Sequence, residues 1–157
     1  MKNIDEILKE ISSYHRSCLT VCGNNKEKRR NIISYLKDKG WIELDVMEKV
    51  HELMKKEEEA DVYILKYEIG TELKKWIRNI DKNIIFLNSE VLFSKELGNF
   101  KAPERFDYFL RDSNKLGILF LNARIKNNKV IYSKPDRDDY ITSEPDIPPI
   151  NLNDIEI

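Results

Sequence analysis

The stretch VCGNNKEKRRNIISYL, Val21 to Leu36, decides the fold. The apolar run CLTVC (Cys18–Cys22) ends at Gly23, and beyond it Ile32, Ile33 and Leu36 recur at the spacing of one helix face. Strand, glycine turn and helix in that order build a parallel sheet, and a ligand of such a sheet sits at the carboxyl ends of its strands. Gly23 stands at such an end.

Outward from this unit the same alternation continues. Ile4, Ile7, Leu8 and Ile11 predict a helix before the strand, and Gly40 ends the helix after it in the C-terminal capping role. WIELDV alternates as a strand does. It runs into MEKVHELMKKEEE, where Val50, Leu53 and Met54 predict one inward face. DVYILKY suits strand and helix equally, and EIGTELKKWIRNID reads as helix. NIIFL (Asn83–Leu87) and GILFL (Gly117–Leu121) are continuous apolar runs of the kind found in the middle of a parallel sheet. Between them lies a helix entered at Pro103 and carrying Phe106, Phe109 and Leu110.

ARIKNNKVIY predicts a β-hairpin turning at Asn127 and Asn128, which tolerate the left-handed backbone of a two-residue turn. No crossover helix fits between Asn122 and Lys129, so the last strand is expected antiparallel to its neighbour. The expected fold is therefore α/β: three layers around a mixed, mainly parallel sheet with a C-terminal β-hairpin, in one domain over residues 1–142. From Ser143 the sequence SEPDIPPINLNDIEI turns Pro-rich and acidic and reads as an extended tail, 143–157. Its apolar Ile147, Ile150, Leu152, Ile155 and Ile157 suit docking on a partner or packing in the domain's own groove, and the residues do not choose between them.

Composition narrows the function. The chain has 157 residues, enough to bury a core without disulfide or metal staples. Its 27 Lys and Arg balance 28 Asp and Glu, so no global positive field draws it to nucleic acid or to an anionic membrane. The charged amphipathic start and the short apolar runs predict neither a targeting segment nor a membrane span, which makes the cytoplasm the expected location. Cys18 and Cys22 share a strand face and read as buried thiols. His15 and His51 have no Cys or second His at ligand spacing, so no metal site is expected.

A working phosphate loop has the form G-x-x-x-x-G-K-[ST]: backbone amides reach the phosphates, Lys holds the terminal ones and the hydroxyl holds Mg²⁺. Aligned on Gly23, the last three slots hold Lys28, Arg29 and Arg30. The second glycine, the lysine and the hydroxyl are all replaced. The end of NIIFL repeats the pattern, with Asn88 where a magnesium-binding Asp would stand and Glu90 as the one candidate base nearby. Lys26, Lys28, Arg29 and Arg30 crowd the first turn of a helix whose dipole disfavours cations. They suit solvated surface charge, an anion or nucleotide contact, or a small nucleic-acid phosphate patch.

Taken together, GWIELDVMEKVHELM, IIFLNSEVLF, Pro103, GILFLNA ending at Asn122, and VIYSKPDRDDY with its Tyr132, Pro135 and Tyr140 spacing resemble a known family. It is the small P-loop-containing protein of BREX type 3 bacteriophage-defence systems, the BrxF family, and the resemblance runs from about Gly23 to Tyr140. It implies a P-loop NTPase-like fold, a nucleoside triphosphate such as ATP as ligand, and other BREX-system proteins as partners. By position it implies that Gly23 and Arg29 fall in the phosphate loop, Asn88 and Glu90 in the metal-strand motif, and Asn122 where related ATPases sense the terminal phosphate. Lys28, Arg29, Arg30 and Asn88 depart from a working site and argue against Mg²⁺-dependent hydrolysis. The expected function is thus a subunit with a degenerate phosphate loop that works through protein contacts. A weak ATP-binding regulatory subunit and a nucleic-acid-binding accessory protein are the alternatives.

Overall fold

The computed structural model describes residues 1–13 and 17–157, and the expectation for His15 lies outside the described residues. In chain order the elements are β1 (Lys2–Asn3), α1 (Ile4–Ser13), β2 (Cys18–Cys22), α2 (Lys26–Asp38), β3 (Ile42–Asp45), α3 (Val46–Ala60), α4 (Leu65–Arg78), β4 (Ile84–Leu87), α5 (Ala102–Leu110), β5 (Gly117–Leu121), β6 (Arg124–Lys126), β7 (Lys129–Tyr132), β8 (Ile141–Ser143), β9 (Ile150–Asn151) and β10 (Ile155–Glu156). Two short 3₁₀ segments, Ser89–Phe93 and Lys95–Leu97, follow β4, and a third, Leu152–Asp154, follows β9.

The central sheet has the order β3-β4-β5-β2-β9, and every pairing in it is parallel. Side chains alternate across it, because successive residues of a strand point to opposite faces. Cys18, Cys22, Ile84, Phe86, Leu119 and Leu121 meet α3, α4 and α5 on one face. Leu19, Val21, Ile85, Ile118 and Phe120 meet α1 and α2 on the other. The three inner strands are buried on both faces, which is why CLTVC, IIFL and GILFL read as unbroken apolar runs. Two buried charges tie layers together. Asp107 on α5 accepts from the Ser17 and Cys18 amides at 3.0 and 3.2 Å, anchoring the start of β2. Lys115 donates to the Ile77 and Ile80 carbonyls at the C-terminal end of α4.

Two expectations are corrected. The hairpin forms as predicted, with Asn127 and Asn128 at φ 52° and 63° and Lys126 opposite Lys129. It does not join the central sheet: β6, β7 and β8 make a separate antiparallel sheet, and the central sheet is parallel rather than mixed. The hairpin is free to leave because Val130 and Ile141 pack beside the central sheet instead of extending it. Met54 is not inward but 43 % exposed, since α3 buries the Val46, Val50, Leu53 stripe that lies a turn apart.

Of the two alternatives left open for the segment after Ser143, the structure shows packing on its own domain. β9 supplies the edge strand beside β2, β10 pairs with β1, and Ile147, Leu152 and Ile155 are buried with α1 and α2. β8 itself ends at Ser143, on the expected boundary between domain and tail. Among the described residues, no helix is long and apolar enough to cross a membrane.

Candidate functional site

The chain leaves β2 through α2 onto one face of the sheet, whereas it leaves β5 toward β7 and β8 on the opposite face. Neighbouring parallel strands whose continuations part in this way open a crevice at their carboxyl ends, the usual ligand position in such sheets. Gly23 ends β2 and Asn122 ends β5, and the Gly23 amide donates to Leu121 O at 3.0 Å. The ligand position expected from the opening stretch is at these two strand ends.

Arg29 fills it. One guanidinium nitrogen donates to Gly23 O at 2.7 Å and to Asn122 Oδ1 at 2.9 Å. The guanidinium carbon lies 5.5 Å from the centre of the Phe120 ring. Its Nε is buried with no hydrogen-bond partner. Burial lowers the Arg29 pKa, while the Glu90 carboxylate and Cys22 act in the opposite direction. Glu90 Oε1 in turn accepts from the Asn122 amide at 2.9 Å, fastening the 3₁₀ turn after β4 to the end of β5. Below them the Cys22 thiol is pushed up to about 12, first by burial, with Arg29 lowering it and Glu90 raising it.

The helix N-terminus is also occupied by the chain itself. Only Asn24 and Asn25 separate Gly23 from α2. Asn25 caps the helix, its side-chain oxygen accepting from the Lys28 amide at 3.1 Å. Lys28 Nζ reaches Asn153 O at 2.8 Å, so the 3₁₀ turn after β9 closes over the start of α2. Gly23 has φ 147°, and a Cβ there would lie 2.9 Å from Leu152 Cβ, so the glycine serves close packing against that turn.

The structure therefore brings together Gly23, Lys28, Arg29, Glu90 and Asn122. Lys26 and Arg30 are exposed on α2 and point away from this network. Asn88 is exposed with φ 57°, the left-handed link between β4 and its 3₁₀ turn. Sequence reasoning missed Asn25, whose cap signal is Asn directly before the helix, and Phe120, Leu152 and Asn153, for which no local signal exists. The arrangement is a self-bonded network at the strand ends: one Arg29 guanidinium nitrogen and the Lys28 ammonium donate to carbonyl and amide oxygens of the same chain, while Arg29 Nε is left without a partner.

Comparison with protein-family models, with curated protein sequences and with solved structures finds no match to this chain.

Proposed function

We propose that this chain is a non-hydrolysing, P-loop NTPase-like subunit of a BREX-type antiphage defence system and acts through contacts with the other proteins of that system. The observation that carries the non-hydrolysing half is Arg29: one guanidinium nitrogen bonds Gly23 O and Asn122 Oδ1 across the strand ends, committing to the chain itself the position a phosphate-holding lysine would take. Phosphoryl transfer depends on a Lys, a metal-holding hydroxyl and a strand carboxylate acting together. Arg29, Arg30 and Asn88 stand in those places. The defence-system half rests on the resemblance in sequence. Partner binding is supported by Val62, Tyr63 and Ile64, which are 44, 69 and 44 % exposed in the α3–α4 connection.

Affinity purification of the tagged chain from cells carrying its own gene neighbourhood tests the reading. Recovery of a methyltransferase, a helicase-like protein and a phosphatase-like protein in fixed proportion is the expected result. Recovery of the chain alone, with magnesium-dependent ATP binding in a thermal-shift titration, would favour the nucleotide-regulated alternative instead.

A further inference from the structure

We propose that the groove between α4 and α5 binds single-stranded nucleic acid. This goes beyond the reading of the loop and uses none of its residues. Although the chain is nearly neutral as a whole, charge is segregated around α4. At 3.6 residues per turn, Lys66, Tyr67, Gly70, Thr71, Lys74 and Arg78 fall on one side of the helix and Glu68 and Glu72 on the other. Contacts fix which side faces α5. Lys74 Nζ lies 5.5 Å from the Tyr108 ring centre, Arg78 Nε donates to Phe109 O at 3.4 Å, and a Cβ on Gly70 would meet the Arg105 guanidinium at 2.9 Å. On the other side, Lys49 of α3 covers Trp76.

Across the groove α5 adds Arg105, stacked over Phe100 at 5.1 Å and Phe109 at 5.5 Å, and Lys101 stands just before the helix. The groove thus gathers Lys66, Lys74, Arg78, Lys101 and Arg105. Part of it is a cavity of about 460 Å³ whose lining includes Lys66, Tyr67, Gly70, Lys101, Glu104 and Arg105. Glu104, the one carboxylate in that lining, accepts from Ser143 Oγ at 2.8 Å. Beyond it the cationic stretch ends at Arg111, which is already paired with Asp107 and Asp146.

Tyr67, 81 % exposed, stands among these cations, and Tyr108, 52 % exposed, lies between Lys74 and a pocket that Glu104, Glu144 and Asp146 help to line. A large aromatic ring left to water between positive charges matches what a single strand offers: unstacked base faces for the ring and phosphates for the cations. A duplex offers no free base faces. Lys66 and Arg78 are about 18 Å apart along the helix axis at 1.5 Å per residue.

Fluorescence anisotropy with a short labelled oligothymidylate tests this. Binding is expected, with log affinity falling against log salt at a slope of about −3.5 for five cations. Lys66→Ala with Lys101→Ala should make the slope shallower by about 1.4. Tyr67→Ala should weaken binding about 5- to 100-fold while Tyr67→Phe keeps it, and the exposure of Tyr67 leaves the melting temperature as a control that folding is intact. Lys26→Ala with Arg30→Ala, on α2, should change nothing. The proposal is overturned by absence of binding at low salt, by loss of binding in the α2 pair rather than the groove variants, or by a duplex that binds as tightly and ignores Tyr67→Ala.

Discussion

Arg29 and Arg30 are adjacent arginines with the same propensity, yet the fold gives them different work. Arg29 holds two charge-assisted hydrogen bonds across the ends of β2 and β5, and Arg30 is exposed. Arg29→Ala should therefore cost about 1–3 kcal/mol in chemical denaturation, whereas Arg30→Ala should stay within about 0.5 kcal/mol. Equal effects would mean that the crevice contact has no weight. Cys22 supplies a second test at this scale. In the unfolded chain its thiol ionises near ~8.5, but in the fold burial pushes it up to about 12. Between those values the folded state keeps a proton that the unfolded state has lost, so stability is intact below the lower one and falls as pH rises toward the upper. The slope is up to about 1.4 kcal/mol per pH unit. Cys22→Ala should flatten that fall in melting temperature against pH without abolishing it, because the Cys18 pKa is also raised by burial. An unchanged slope would contradict the assignment. The burial of Cys22 was legible in the sequence, but the bond from Arg29 was not, since Arg29 and Asn122 are 93 positions apart and only the closed sheet makes them neighbours.

Elements were legible where their burial left a pattern. β2, β4 and β5 announced themselves because burial on both faces demands unbroken apolar runs, and the Asn127–Asn128 turn because both residues adopt left-handed backbone. β8, β9 and β10 have two or three residues each, too few to show a period of two, and β9 follows Pro148 and Pro149. Those prolines have a structural use. Continuing the parallel register from Val21 opposite Ile150 would set Pro149 and Pro148 against Thr20 and Leu19, where they can donate no ladder hydrogen bond, so the edge strand stops. The apolar residues of the tail were visible, but not whether they met a partner or their own domain. Leu152→Ala should now cost about 2–5 kcal/mol, as a buried core truncation does, and deletion of residues 143–157 should lower the melting temperature far more. Gly23→Ala should also destabilise, through its strained φ and the clash with Leu152. Combined with Leu152→Gly it should cost less than the sum, because the 2.9 Å clash is with Leu152 Cβ, which only glycine removes. Strict additivity in denaturant titrations would show that the turn after β9 does not pack on the loop.

At the scale of the whole molecule the parallel sheet brings the ends of β2 and β5 side by side, and the chain bonds across them with its own groups. Asn25 caps α2, Lys28 reaches the turn after β9, and Arg29 joins β2 to β5. The layer plan was readable from alternating apolar runs and helical faces, while the closure was not, because it depends on a C-terminal turn and a strand end far from the loop in sequence. The frame gives donors at its strand ends partners within the chain, and the proposed function accordingly is binding rather than turnover. Steady-state phosphate release from ATP in the presence of Mg²⁺ tests that claim most directly. The account predicts release no faster than from buffer alone, for the native chain and for Arg29→Ala alike. Magnesium-dependent turnover by the native chain that disappears in Arg29→Ala would contradict it.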